Sequence, residues 1–547
     1  MTEWTIGAVL DAIADVVPDR EMTVCGNRRS TFAQGADRTR RLANFLVGRG
    51  LGAHAERTGL NRWECGQDRV ALVMHNDLYP DAVIGCLKAR TVPFNVNYHY
   101  APSEVADLLA YLRPRAVIYH RSLGARLADV LHAEVLICVD DGDGVSLPDA
   151  IWMDDALVQG DSDCTGPGSP DDLLLVCTGG TTGRPKGVMW RQGDIYVSSM
   201  NGADHSTVAE IHDKVACGGA PWFAVSPLMH AAGMWTTFSG LLSGLTVVLN
   251  DTKVGFDPRA VLETAEREQV GLMTMVGDAY AGPIVQELGR RAYDLSSLFA
   301  IGTGGAATTA KHQRALLEYL PQITVINGFG SSETGNMGFG HTRNQTPTAE
   351  TFQLRAGGMV VSQDHSRFLD PGEDEVGWVA RNGRIPLGYF EDEAATVKTF
   401  PEVEGQRVVI SGDRGSLAAD GTLRLFGRDA LVVNSGGEKV FVEEVEEALR
   451  AHPDVADALV VGRPSERWGQ EIVGIVALRP NSGASEATGD VTAQCGADML
   501  REHCASTLAR FKIPKDMVFV DEVHRLGNGK ADYRWAKRRA AGEVENV

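Results

Sequence analysis

No apolar run in the 547-residue chain reaches the roughly 18 residues that a membrane-spanning helix needs. The N-terminal stretch MTEWTIGAVLDAIADVVPDR also lacks the basic start of a secretory signal. No CxxC pair occurs, and the nine cysteines (25, 65, 86, 138, 164, 177, 217, 495 and 504) are odd in number and scattered. A chain this long folds without disulfide staples, so a reducing compartment, the cytoplasm, is expected. Basic side chains are in deficit, 52 against 72 acidic ones, for a formal charge of -20. Such a surface repels a phosphate backbone, so nucleic acid is not an expected partner. It does not exclude a small phosphate ligand, because a local nest of backbone N–H groups outweighs a distant field. Internal repeats and coiled-coil heptads are lacking too, which argues against a solenoid or a coiled coil.

What is present points to a large globular molecule. Apolar residues make up 44% of the chain, enough for full cores, and the length calls for two or more domains. Helical and strand-like segments alternate, the pattern of an α/β architecture. Residues 31–50 predict an amphipathic helix with Leu42, Phe45 and Leu46 on one side and Gly50 near its end. RVALVMHN, AVIYH, EVLICVD and DLLLVC read as buried strands, and later strand–helix units run through WFAVS, LTVVLN, LFAIGTGGA and ITVINGFG. From 354 to 427, short strands and Gly/Asp turns predict a small antiparallel or barrel-like subdomain. After 427 a compact α+β unit of one-domain size follows.

The chemistry concentrates first in TGGTTGRPKG (178–187). Gly179, Gly180 and Gly183 permit tight curvature, Thr178, Thr181 and Thr182 supply hydroxyls, and Lys186 supplies a cation, which makes a phosphate cradle. By composition alone an ordinary Gly/Thr surface turn is equally served. The loop is not a Walker A motif, since Lys186 is followed by Gly187 where that motif has Ser or Thr. It resembles the signature loop TSGTTGxPKG of the adenylate-forming superfamily, which includes acyl-CoA synthetases, with Gly179 in place of serine.

Further motifs follow in that family's order, covering about residues 30 to 535. SPLMHAAG resembles PLFHxxG, and the resemblance implies that His230 lies near the acyl carboxylate. GTGGA, with Gly304, Gly305 and Ala306, resembles the segment lining the adenine and acyl pockets. NGFGSSETG resembles YGxTE. There Gly328 and Gly330 flank Phe329, the implied adenine-stacking ring, Ser332 replaces threonine, and Glu333 is the implied Mg²⁺ ligand beside Thr182. SGDRG supplies Asp413 for the ribose diol and FGRD supplies Arg428 for the ribose and phosphate. NSGGEKV supplies Gly436, Gly437, Glu438 and Lys439 along the pantetheine path, and GNGKAD supplies Lys530, the adenylation lysine.

The resemblance implies ATP, Mg²⁺ and coenzyme A as cofactors, with a carboxylic acid as the substrate. A carboxylate attacking the α-phosphate brings two anions together, so the reaction needs charge neutralisation and alignment more than a strong base. Thiolate attack on the adenylate then needs a different lid. The expected fold is therefore α/β, with a large multi-subdomain N-terminal adenylate-forming region (1–427) and a smaller mobile α+β C-terminal domain (428–547). The hinge is expected near Ala430. Met229, Met234, Trp235, Met273 and Met275 are candidate walls of an apolar acyl pocket, though plain core packing suits them as well. VMWRQGDIY and VGRPSERWGQ look most like bacterial ligases for fatty acids and steroid side chains. An aryl-CoA ligase is the alternative enzyme, and a nucleotide-binding regulator without catalysis the alternative class. A weak homo-oligomer or a peripheral membrane contact is compatible with the sequence.

Overall fold

The computed structural model describes residues 3–160, 166, 168–179, 185–202, 207–251, 253, 255–305, 308, 310–344, 351–428, 432–479, 496–524 and 532–542. The chain forms two compact units. One comprises Met1–Tyr98, Leu108–Thr178 and Lys186–Gly427; the other comprises His99–Asp107, Gly179–Pro185 and Arg428–Val547.

Two sheets organise the first unit. In one, strands Arg69–Val73, Val92–Asn95, Ala116–His120 and Val135–Val139 run parallel. Strand Leu173–Gly179 joins them through Phe94 and Leu175, and Pro185–Arg191 lies beside it. Val92–Asn95 and Ala116–His120 are buried at every position. Parallel strands covered on both faces carry no alternation, which is why these segments read as continuous apolar runs.

In the second sheet, Val247–Leu249, Trp222–Ala224, Leu272–Met275, Ala300–Thr303 and Thr324–Ser331 are neighbours in that order, all parallel. Gly335–Thr342 then turns back antiparallel on Thr324–Ser331. The antiparallel strands expected over 354–427 are present, but they are not a separate closed barrel. Thr351–Leu354 pairs with Gly335–Thr342, and Leu423–Arg428, Gln406–Leu417, Gly377–Asn382 and Gly358–Val361 follow it, extending this same sheet. Turn composition is the same for a free subdomain and for strands added to an existing edge, so sequence could not separate the two.

The helix expected at 31–50 spans Phe32–Gly48 and buries Leu42, Phe45 and Leu46. Its start is a capping box. The Gln34 N–H donates to Thr31 Oγ1, and the Thr31 N–H donates to Gln34 Oε1.

The second unit is α+β. Val455–Ser465 and Gly469–Leu478 form a long antiparallel hairpin, Asp516–Val520 lies parallel to the latter, and Val432–Ser435 with Glu438–Phe441 completes the sheet. Ala458, Val460, Ile472 and Val476 pack on one face with Val445, Leu449 and Leu500 from helices Val442–Arg450 and Ala497–Ala505. Leu459, Val461, Val473 and Ile475 pack on the other, under Trp535 and Ala536 of helix Tyr533–Ala540. Period-two alternation with both faces covered produces the uninterrupted apolar strings in ALVV and IVGIVAL.

Candidate active site

The glycine-rich loop is held at its two stems. Thr178 and Gly179 end the strand Leu173–Gly179, and Lys186 lies in the returning strand Pro185–Arg191. Gly180, Thr181, Thr182 and Gly183 lie outside the described residues. Next to the outgoing stem, Asn95 acts as a bracket. Its Oδ1 accepts from the Cys177 N–H at 2.8 Å, and its Nδ2 donates to the carbonyls of Cys177 (3.0 Å) and Met229 (2.8 Å). The loop carrying His230 is thereby tied to the strand leading into the glycine-rich loop, and His230 occupies the N-cap position of helix Ala231–Leu241 without a side-chain cap bond.

The returning stem is tied to the Ser332–Glu333 turn. Trp190, fully buried, donates its indole N–H to the Ser332 carbonyl at 2.8 Å. Short strand Gly388–Tyr389 pairs with Val188 and Met189 and presents the Tyr389 ring to Lys186, whose Nζ lies 4.7 Å from the ring centroid. The Tyr389 hydroxyl donates to Glu333 Oε1 at 2.9 Å. Among the described residues, Glu333 Oε2 has no hydrogen-bond partner. A carboxylate with one oxygen oriented and one unclaimed suits a hard divalent cation such as Mg²⁺. The other residue expected to bind the metal, Thr182, is not among the described ones.

Thr303 pairs with Asn327, and the Gly304 N–H donates to the Met275 carbonyl at 3.3 Å. A Cβ on Gly304 would meet the Gly328 carbonyl at 3.4 Å, so Gly304 and Gly328 are in close approach. Gly305 takes a φ of +77°, while Ala306 lies outside the described residues. Phe329 stands edge-on to Phe352 at 4.7 Å. Gly330 is needed at its position because a Cβ there would overlap the Gly335 carbonyl oxygen, which closes the hairpin carrying Glu333. The Asn327 Oδ1 accepts from the Thr303 hydroxyl at 2.8 Å, whereas its Nδ2 is buried without a partner among the described residues. A buried amide donor is costly to leave unpaired.

Other expected residues fall elsewhere. Half-buried Asp413 accepts from the Ser411 hydroxyl at 3.0 Å within strand Gln406–Leu417. Arg428 closes strand Leu423–Arg428, and Ala430 and Lys530 lie outside the described residues. In the second unit, Gly436 and Gly437 take φ of +61° and +88° and turn the chain between Ser435 and Glu438, with Lys439 on the outgoing strand. Two successive left-handed residues are the tight-hairpin geometry that glycine admits without strain.

The five candidate wall residues are all buried, and four of them fall in two cores. Met234 and Trp235 pack with Phe238, Trp190 and Tyr389. Met273 and Met275 pack with Phe223, Ile301 and Val325. Met229 is likewise buried. Sequence reading missed Asn95, Trp190, Asn327 and Tyr389. Trp190 and Asn327 lie within the stretches VMWRQGDIY and NGFGSSETG, but neither side chain stood out there by type.

Residues 10–383 match the AMP-binding enzyme family, and residues 444–530 match the AMP-binding enzyme C-terminal domain. The chain is 41% identical over 558 residues to the medium-chain acyl-CoA ligase Mig of Mycobacterium avium, an alignment covering 98% of each chain. It is 36% identical over 553 residues to a Mycobacterium marinum medium/long-chain-fatty-acid–CoA and 3-oxocholest-4-en-26-oate–CoA ligase, covering 96% of this chain and 94% of that one. Its fold resembles that of o-succinylbenzoate CoA synthetase from Bacillus subtilis, with a TM-score of 0.74, 21% identity, and 97% and 98% of the two chains covered. The chain therefore belongs to the AMP-binding, adenylate-forming enzymes and is an AMP-forming acid–CoA ligase.

Proposed function

We propose that the acid is a medium- or long-chain fatty acid or a steroid-derived acid. Similarity along almost the whole chain to ligases named for such acids carries this reading, and the buried Met229, Met234, Trp235, Met273 and Met275 are consistent with it. An acid panel with ATP, Mg²⁺ and CoA tests it, reading AMP and acyl-CoA together. Octanoate, palmitate and a sterol side-chain acid are expected to have higher kcat/KM than acetate, since each buried CH₂ contributes about 0.8 kcal/mol until the pocket is full. A flat profile overturns the reading, and turnover confined to aryl acids replaces it with an aryl-CoA ligase.

In this reading a carboxylate oxygen of the acid attacks the α-phosphorus in line, and the bond to pyrophosphate breaks. Lys186 and the backbone of the glycine-rich loop hold the phosphates, Lys530 aligns the two anions, and His230 borders the acid's carboxylate. Phe329 stacks on adenine, Asp413 takes the ribose diol with its two acceptors, and Arg428 presents a planar fork nearby. Glu333 and Thr182 would hold Mg²⁺, which when bound neutralises phosphate charge. The C-terminal domain, residues 428–547, then turns about the neighbourhood of Ala430. CoA thiolate adds to the acyl carbonyl along Gly436, Gly437 and Lys439, and AMP leaves. Placement in the cytoplasm belongs to the same proposal.

A further inference from the structure

Tyr389 is absent from every motif that pointed to the site, yet it touches two members of the proposed phosphate and metal machinery at once. Its ring faces the Lys186 ammonium at 4.7 Å and its hydroxyl donates to Glu333 Oε1 at 2.9 Å. The residue is 4% exposed, so neither contact is an opportunistic surface encounter. Its backbone is anchored on several sides. The Tyr389 N–H donates to Thr396 Oγ1 at 2.9 Å, and Gly388 leaves the space that Thr396 occupies. The Leu387 N–H donates to the Met189 carbonyl at 2.8 Å, and the Phe390 N–H donates to the Gly187 carbonyl at 2.9 Å. Phe390 is flanked by the guanidiniums of Arg69 and Arg113, at 5.4 and 5.7 Å from its ring. A segment tied down this way serves a purpose beyond filling space, because packing alone requires neither the hydroxyl nor the cation over the ring.

We infer that Tyr389 is a positioning residue that sets the Lys186 ammonium and the Glu333 carboxylate at a fixed separation before ATP arrives. Lys186 has a long, flexible stem, and Glu333 sits in a turn; either would sample several rotamers if unsupported. The ring face attracts the cation. A charge-assisted O–H bond holds one carboxylate oxygen and leaves the second directed by the first. The cation over the ring also draws electron density from the phenol, which strengthens the hydroxyl as a donor. The inference rests on the proposed roles of Glu333 toward Mg²⁺ and of Lys186 toward phosphate.

The test is a double-mutant cycle on the full chain, with calorimetric titration of ATP in the presence and absence of Mg²⁺. Tyr389→Phe keeps the ring and loses only the hydroxyl. It is expected to weaken Mg²⁺-dependent ATP binding about tenfold, to leave binding in EDTA within about twofold, and to add less than about twofold in a Glu333→Gln background. A residue that only packs would give independent losses that multiply. Multiplying losses, or wild-type binding by Tyr389→Phe beside a weakened Glu333→Gln, overturn the positioning role alone. Wild-type Mg²⁺-dependent binding by Glu333→Gln overturns the metal assignment on which the role stands. Tyr389→Leu removes the ring as well and is expected to weaken metal-free ATP binding about threefold. If that variant does not fold, the phenylalanine cycle carries the test by itself.

Discussion

Lys530→Ala is expected to remove acyl-adenylate formation while sparing thioester formation from a synthetic adenylate. Losing a group that aligns two anions mainly in the transition state costs about 3–4 kcal/mol, or roughly two to three decades in rate. Pyrophosphate exchange and acyl transfer, assayed separately, check it; equal damage to both steps would refute the role. A second residue-scale expectation concerns pH. His120 is fully buried, its Nδ1 accepts from the His75 N–H at 3.1 Å, and its Nε2 has no partner among the described residues. Burial, together with the neighbouring His75, Arg28 and Lys253, pushes its pKa well below the usual 6.5. The unfolded chain thus binds this proton more readily than the folded one. The stability contributed by keeping the ring neutral is full above about pH 6.5 and is lost as the pH falls from there toward the folded pKa. His120→Asn, which keeps an acceptor for the His75 N–H, is expected to flatten the fall in urea-unfolding stability between pH 7.5 and 5.5. An unchanged slope would remove His120 from the acid response. At this scale residue type says least. Met273 is fully buried in a core, so replacing it with aspartate would probe folding before substrate choice, and the acid panel carries that question instead.

The hairpin of Thr324–Ser331 and Gly335–Thr342 delivers Phe329, Ser332 and Glu333 together. Gly330 permits its closure, so Gly330→Ala should push the two strands apart where the added methyl meets Gly335. We expect about 1–3 kcal/mol of lost stability and at least a tenfold loss in ATP affinity, measured by thermal melts and ATP titration on the same protein. A variant that loses stability but binds ATP normally would mean that the turn tolerates displacement without moving the site. Elements were legible where one physical signal dominated. The helix Phe32–Gly48 carried its apolar stripe in the sequence, while its capping box emerged only in the structure, and the strands buried on both faces carried unbroken apolar runs. The strands after 350 were legible as strands, but their attachment to the large sheet was not, because edge pairing is made by backbone groups that every residue shares.

For the molecule as a whole, the proposed mechanism assigns the two half-reactions to two positions of the C-terminal domain. Ala430→Pro restricts the backbone at the proposed pivot and should damage acyl transfer to CoA more than adenylation, by about tenfold or more. ATP–pyrophosphate exchange compared with transfer from preformed adenylate checks this, and equal effects on both steps would move the pivot elsewhere. The second unit has its own two-sided sheet and its own cores, as a domain able to move as a body must.

The sequence by itself determined the family, the order of its motifs, the α/β class and the smaller α+β end. Those properties reside in local patterns: glycine spacing, hydrophobic period and short strings of chemically committed residues. Only the tertiary structure decided which side chains without an assigned motif role hold the site in shape. Asn95 lies 82 residues from Cys177 and 134 from Met229, Trp190 lies 142 residues from Ser332, and Tyr389 lies 56 from Glu333. An amide, an indole and a phenol are ordinary core residues by type. What makes each one specific is a single polar atom meeting a distant backbone group or carboxylate, and that meeting exists only once the sheets have brought remote segments side by side.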